Sequence, residues 1–244
     1  SRFPAGLKAA LGENPKRVYG ESKKMPFTRM ASAALLRETL VQGQNYMEKQ
    51  QKRSGEDKEF FERNLRMEAI ARVLRREVPL RIHAHRADDI VTAIRIAREF
   101  NVQLVLEHCT EGHFVANYLA RMGVPAVVGP VITSRAKVEL KERSLETAAI
   151  LARAGIPFAI MTDHPVVPIQ YLSLSAGLAC RGGLSEEKAL EAITIGAARI
   201  AGIDNYVGSL EIGKDADMII VEGHPFDLRS KIRHVLINGQ TMVF

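Results

Sequence analysis

The chain has 244 residues, 46% hydrophobic and 25% charged, which is enough apolar material for one large domain or two small ones with a real core. This balance excludes a disordered, collagen-like or disulfide-stapled chain, and no apolar run nears the roughly 20 residues a membrane-spanning helix needs. The net charge of +6 is spread along the chain and interleaved with Glu, as in KVELKERSLE, which reads as solvated helix faces rather than a nucleic-acid surface.

The opening SRFPAGLKAALGENPKR lacks the apolar core of a signal peptide, so a cytoplasmic location is expected. Residues 28–78 are charged and helical in pattern but sparse in apolar positions at their centre. That predicts a helical insertion made of a pair of helices, turning at SGED (54–57). PLRIHAH (79–85) then reads as a strand, followed by a helix over 88–100 with Ile90, Ala93, Ile94 and Ala97 at helical spacing. The alternation continues. VQLVLEH (102–108) is a strand, 113–123 a helix closing on Gly123, and VPAVVGP (124–130) a strand. Residues 145–155 are a helix stopped by Gly155, and IPFAIMTDHP (156–165) is a fourth strand. Residues 184–202 read as one helix capped by Ser185. Strands separated by single helices imply parallel pairing, so residues 1–206 form an α/β fold. From Val207 to Phe244 the helical period disappears, and short β runs lead to a hairpin around Asn238-Gly239.

In parallel α/β folds, reactive groups collect at the carboxyl ends of the strands. Here three of the four strand ends carry, in chain order, His83 with His85, then His108, then Asp163 with His164. His83 and His85 are two apart and share one side of an extended strand. Neutral imidazoles on neighbouring strands can converge on one metal ion, and a carboxylate such as Asp163 can ligate it or take a proton from its water. A lone histidine at a strand end is usually a hydrogen-bonded structural residue; three strand ends with the same chemistry outweigh that reading. His113, His224 and His234 fall outside the pattern and read as surface or structural residues. Cys109 points away from His108 and reads as a small buried hydrophobe. With Cys180 it forms no C-x-x-C pair.

HAHRADD, LEHCTEG, MTDHPVVP, VGSLEIGKDADMIIVEGHPFD and VLINGQTMV together resemble the metal-dependent amidohydrolase superfamily, in particular its imidazolonepropionase-related branch. The resemblance covers essentially the whole chain from AGLKAALGENPKRVYG onward. It implies an amidohydrolase-type (β/α)8 TIM barrel with a small β-sandwich, and hydrolysis of carbon–nitrogen bonds by a metal-activated hydroxide. The resemblance gives His83 and His108 as metal ligands. It makes Asp163 both ligand and general base, with His85 and His164 beside the reacting groups. Glu13 is the candidate for the residue that bridges two metals, better placed than Lys8 or Lys16. The implied cofactor is one or two divalent ions, zinc first, with iron or manganese as alternatives. Arg86 and Arg135 are candidates for an anionic substrate group, or are simply solvated.

The family's first signature, a His-x-His after the first barrel strand, has no counterpart beyond His83-Ala-His85. The strand count and a barrel's usual length of about 250 residues therefore predict an incomplete barrel entered at about strand four, with only part of the sandwich. On that expectation the partners are a small molecule with a hydrolysable C–N bond and the missing N-terminal segment or a companion chain. A homo-oligomer is left open, and nucleic acid and membrane are not expected. The alternative function is a non-catalytic or inactive barrel fragment that needs the missing segment.

Overall fold

The computed structural model describes residues 5–52 and 62–243. The chain divides into two compact units, residues up to Leu106 and residues from Glu107 onward.

The first unit contains β1 (Leu7–Ala10), α1 (Glu13–Glu21), α2 (Arg29–Lys52), α3 (Leu65–Leu74), β2 (Leu80–Ala84), α4 (Ala87–Glu99) and most of β3 (Leu104–His108). β1 and β2 are parallel, paired from Leu7↔Leu80 to Ala10↔His83. Helix α4 buries the predicted stripe, with Ile90, Ala93 and Ile94 fully enclosed. Each such side chain contributes about 1.5–3 kcal/mol by leaving water. The expected helix pair is α2 and α3. Asn64 starts α3 by accepting the backbone N–H of Met67 at 3.1 Å. The SGED turn lies outside the described residues. Helix α1, which buries no side chain, has no apolar stripe that would announce it.

The second unit begins in the last two residues of β3 and contains α5 (Ala116–Met122), β4 (Ala126–Val128), α6 (Thr147–Arg153), β5 (Phe158–Ile160), α7 (Leu172–Arg181), α8 (Glu186–Ile193) and α9 (Ile195–Ala201). β4 and β5 are parallel, from Ala126↔Phe158 to Val128↔Ile160. The five strands follow one another in the order β1-β2-β3-β4-β5. Strand order that matches chain order, with a helical crossover at each step, is that of a barrel wall; a doubly wound sheet reverses direction at a switch point. The strands β2 to β5 are shorter than the sequence pattern suggests, losing residues at their amino ends and, except for β3, at their carboxyl ends as well. His108, Cys109 and Asp163 all have positive φ, at 70°, 48° and 53°.

One predicted helix is two. Ser185 caps α8 as expected, its hydroxyl accepting from Lys188 N, but Thr194 leaves helical geometry at φ −126° and ψ −106°. The break brings Gly196 so close to β5 that an added Cβ would lie 3.2 Å from the Phe158 carbonyl. The apolar period of 184–202 continues across Thr194, so the pattern carries no trace of the interruption.

The remaining strands, β6 (Met218–Glu222), β7 (Lys231–Ile237) and β8 (Gln240–Thr241), form the expected small antiparallel sheet. Its hairpin turns at Asn238-Gly239, both at positive φ, with Ile237 paired to Gln240. Among the described residues, no helix is long and apolar enough to cross a membrane.

Candidate metal centre

The end of β2 and the residue just past it alternate Ile82 and Ala84, both fully buried, with His83 and His85. The two histidines are 6% and 3% exposed. Their rings meet edge to face, centroids 4.6 Å apart at 88°, so the expected shared side is realised. The carbonyl of His83 accepts the N–H of Leu11 at 2.9 Å, extending the β1 pairing one residue further. At Gly12 the chain turns sharply, with φ 82° and ψ −147°, and enters α1. That conformation is essentially closed to residues with a Cβ. The turn brings the Asn14 amide nitrogen to 3.2 Å from Nε2 of His83.

His108 ends β3 and is 3% exposed. Its Nδ1 lies 2.8 Å from the carbonyl oxygen of Gly129. A carbonyl only accepts, so Nδ1 carries a proton, and in a neutral ring Nε2 is then the acceptor nitrogen. This is how a metal-ligating histidine is usually oriented. Gly129 has φ 140°, and a Cβ there would lie 2.1 Å from the Met161 carbonyl oxygen.

His83, His85 and His108 form a buried group whose ligand atoms lie within 4.8 Å of one another, a set that could hold a metal ion. Three neutral imidazole nitrogens suit zinc, copper, iron or nickel and are a poor match for magnesium or calcium. Asp163, His164 and Glu13 are not members of that group. Asp163 and His164 lie past the end of β5 and are exposed, and the Asp163 carbonyl accepts from Val166 N at 2.9 Å. Glu13 is the partly exposed first residue of α1. Arg86 is half-buried and ion-paired with Asp88 at 3.1 Å, while Arg135 is exposed.

The other histidines lie outside the group, as the sequence implies. His113 Nδ1 meets Thr147 Oγ1 at 3.0 Å, His224 faces Glu186 at 3.4 Å, and His234 is exposed on β7. Cys109 is fully buried, and burial pushes its thiol up to about 12, so it supplies no thiolate. Asn14 is the residue that sequence reasoning misses. In LGEN an Asn after Gly-Glu reads only as a turn residue, and its contact with His83 depends on the β1–β2 register.

Residues 61–242 match the sequence model of the Amidohydrolase family. Among solved structures, an amidohydrolase from Thermotoga maritima MSB8 is 47% identical and superposes with a TM-score of 0.96 over 100% of this chain and 63% of its own. Amidohydrolase tasK of Hapsidospora irregularis is 25% identical over 96% of this chain and 25% of its own length. An imidazolonepropionase of Aeromonas hydrophila subsp. hydrophila is 36% identical over 45% of this chain and 27% of its own. The chain thus spans about a quarter of these curated relatives and under two thirds of the Thermotoga protein.

Proposed function

The chain belongs to the amidohydrolase family, in its imidazolonepropionase-related branch, and from that premise we propose that it hydrolyses a carbon–nitrogen bond of a small molecule at a divalent-metal centre. The observation that carries this reading is the buried His83, His85 and His108 group. His83 and His108 hold the metal, zinc first and iron or manganese as alternatives, with Asp163 as a further ligand and Glu13 as the candidate for a second ion. When bound, the ion supplies a Lewis acid that makes hydroxide available near neutral pH.

The chain's own residues do the rest. Asp163 takes the proton of the attacking water and returns it to the leaving nitrogen, the base-then-acid cycle expected of a carboxylate beside the reacting atoms. His85 and His164 contact the substrate or hold those groups in place. Cyclic amides are the first substrate class, since the Aeromonas relative is named an imidazolonepropionase, followed by N-acyl amino acids and dipeptides. The location on this reading is the cytoplasm.

A second reading rests on the exposure of Asp163 and its place outside the histidine group. On it the site is completed by a further segment, in the same polypeptide or in a companion chain, and these residues alone bind metal without turnover. A panel of cyclic amides, N-acyl amino acids and dipeptides tests both readings. Hydrolysis that chelation abolishes and zinc restores supports the first. Asp163→Asn then lowers turnover by about 100-fold or more while metal analysis shows the ion retained. Turnover unaffected by chelator and by Asp163→Asn overturns the metal mechanism. Zinc binding without hydrolysis of any panel member favours the second reading.

A further inference from the structure

The connection from β4 to α6 lies wholly within the second unit. It opens at Gly129, whose carbonyl holds His108, and ends where Thr147 starts α6. It is therefore a loop at the carboxyl end of the sheet, where parallel α/β folds gather their ligand-binding groups. Burial of Val131 and Glu139 pins it in place. The loop carries four cations, Arg135, Lys137, Lys141 and Arg143. Both lysines meet carboxylates of the same loop, Lys137 at 3.8 Å from Glu139 and Lys141 at 3.6 Å from Glu142. Neither arginine has a carboxylate partner among the described residues.

The two arginines are held near each other. Arg143 donates through Nη1 to the Thr133 carbonyl, which folds the loop back on itself. Thr133 and Arg135 are two residues apart, a span of at most about 7 Å, so the head group of Arg143 neighbours the root of Arg135. The electrostatics agree. Arg143 is held below the ordinary arginine range first by burial and then by the positive charge of Arg135, and no carboxylate offsets either. Two like charges kept together, one of them partly out of water, are unfavourable for the loop alone and become favourable once an anion joins them.

We infer that Arg135 and Arg143 together bind the free carboxylate of the substrate, which deepens the hydrolase reading above and rests on it. A guanidinium presents its N–H groups in a planar fork that matches a carboxylate, and Arg143 spends only one of its five N–H donors on Thr133. Arg135 is exposed and makes no hydrogen bond among the described residues, so its whole fork faces solvent. Among the substrate classes named above, N-acyl amino acids and dipeptides carry such a carboxylate, as do cyclic amides with an acidic side chain. The inference places these ahead of neutral compounds.

The test separates the anion site from the chemistry. Isothermal titration calorimetry measures binding of N-acetylglycine, N-acetylleucine and N-acetylphenylalanine, of their neutral amides, and of inorganic phosphate. The proteins are the unmodified chain, Arg135→Ala and Arg143→Gln, each with zinc and with chelator, and thermal melting checks that each is folded. Arg135→Ala leaves the contact between Arg143 and Thr133 in place, and Gln at 143 keeps a donor for that carbonyl without the charge. The expected result is that at least one acid binds the unmodified chain about 10-fold or more tighter than its amide. Both substitutions should remove that preference and leave amide binding unchanged. Equal binding of acids and amides overturns the inference, as does an undiminished preference in folded Arg135→Ala. Phosphate binding as tight as the best acid, lost in the same variants, overturns the carboxylate assignment in favour of a general anion site. An arginine-dependent acid preference without zinc-dependent hydrolysis of any panel member sinks the hydrolase reading and leaves the anion site standing; hydrolysis without acid preference does the reverse.

Discussion

His108 is oriented by one hydrogen bond and an unusual backbone: at φ 70° a residue with a Cβ stores on the order of 1–3 kcal/mol of strain, and the Gly129 carbonyl holds the ring. Its neighbour Cys109 also has positive φ and is fully buried without any polar role. Its thiol is raised from 9.0 to about 12 by burial. A raised value means the native state favours the protonated form. The stability this confers is complete below the unfolded value near 9 and is lost as pH rises through 12. We therefore expect melting temperature to fall between about pH 9 and 12, and to fall less in Cys109→Ala. Thiol reactivity gives a second check. At pH 8, Ellman's reagent should modify the partly exposed Cys180 slowly and Cys109 only after unfolding; prompt reaction of both thiols in the native protein would contradict the burial.

The site histidines were legible as residues because they end strands with a clear apolar pattern. Asn14 was not, since nothing within a few residues of it signals a histidine nearly seventy positions away.

At the scale of elements, the β-to-loop junctions do more than the strands themselves. β4 and β5 are only three residues each, and Gly129, just past β4, holds His108 while passing the Met161 carbonyl at a distance no Cβ can share. Gly129→Ala should destabilise the fold by about 1–3 kcal/mol and weaken zinc binding together with it, as read from urea unfolding and chelator competition. A variant with unchanged zinc affinity would show that the carbonyl does not orient His108. Gly12→Ala strains the turn that carries Asn14, at φ 82° and ψ −147°. A loss of similar size is expected there, read from the same urea unfolding. Periodicity located α4, α5, α6 and the terminal hairpin well, because each has a complete apolar stripe or a turn signal. It missed α1, which buries nothing, and it joined α8 to α9 across Thr194, where close approach of Gly196 to β5 decides the break.

For the whole molecule, metal and stability are linked by mass action. An ion that binds the folded chain and not the unfolded one adds about 2.7 kcal/mol at 100 times its dissociation constant. For a protein of 244 residues that amounts to a rise of roughly 5–10 °C in melting temperature. Differential scanning calorimetry with zinc and with chelator should show this rise in the unmodified chain and a much smaller one in His83→Ala. An equal rise in both would place the ion elsewhere.

The sequence by itself determined the α/β class, the parallel alternation, the terminal antiparallel sheet and the presence of imidazoles at successive strand ends. These follow from hydrophobic period and turn chemistry, which act over a few residues. Tertiary structure decided which of those imidazoles group together, that Asp163 and Glu13 lie outside the group, and that the Gly129 carbonyl holds Nδ1 of His108. Those outcomes depend on strand register and on single backbone conformations such as Gly12 and Gly129. There, segments distant in sequence meet within a few ångströms, and no local pattern records the meeting.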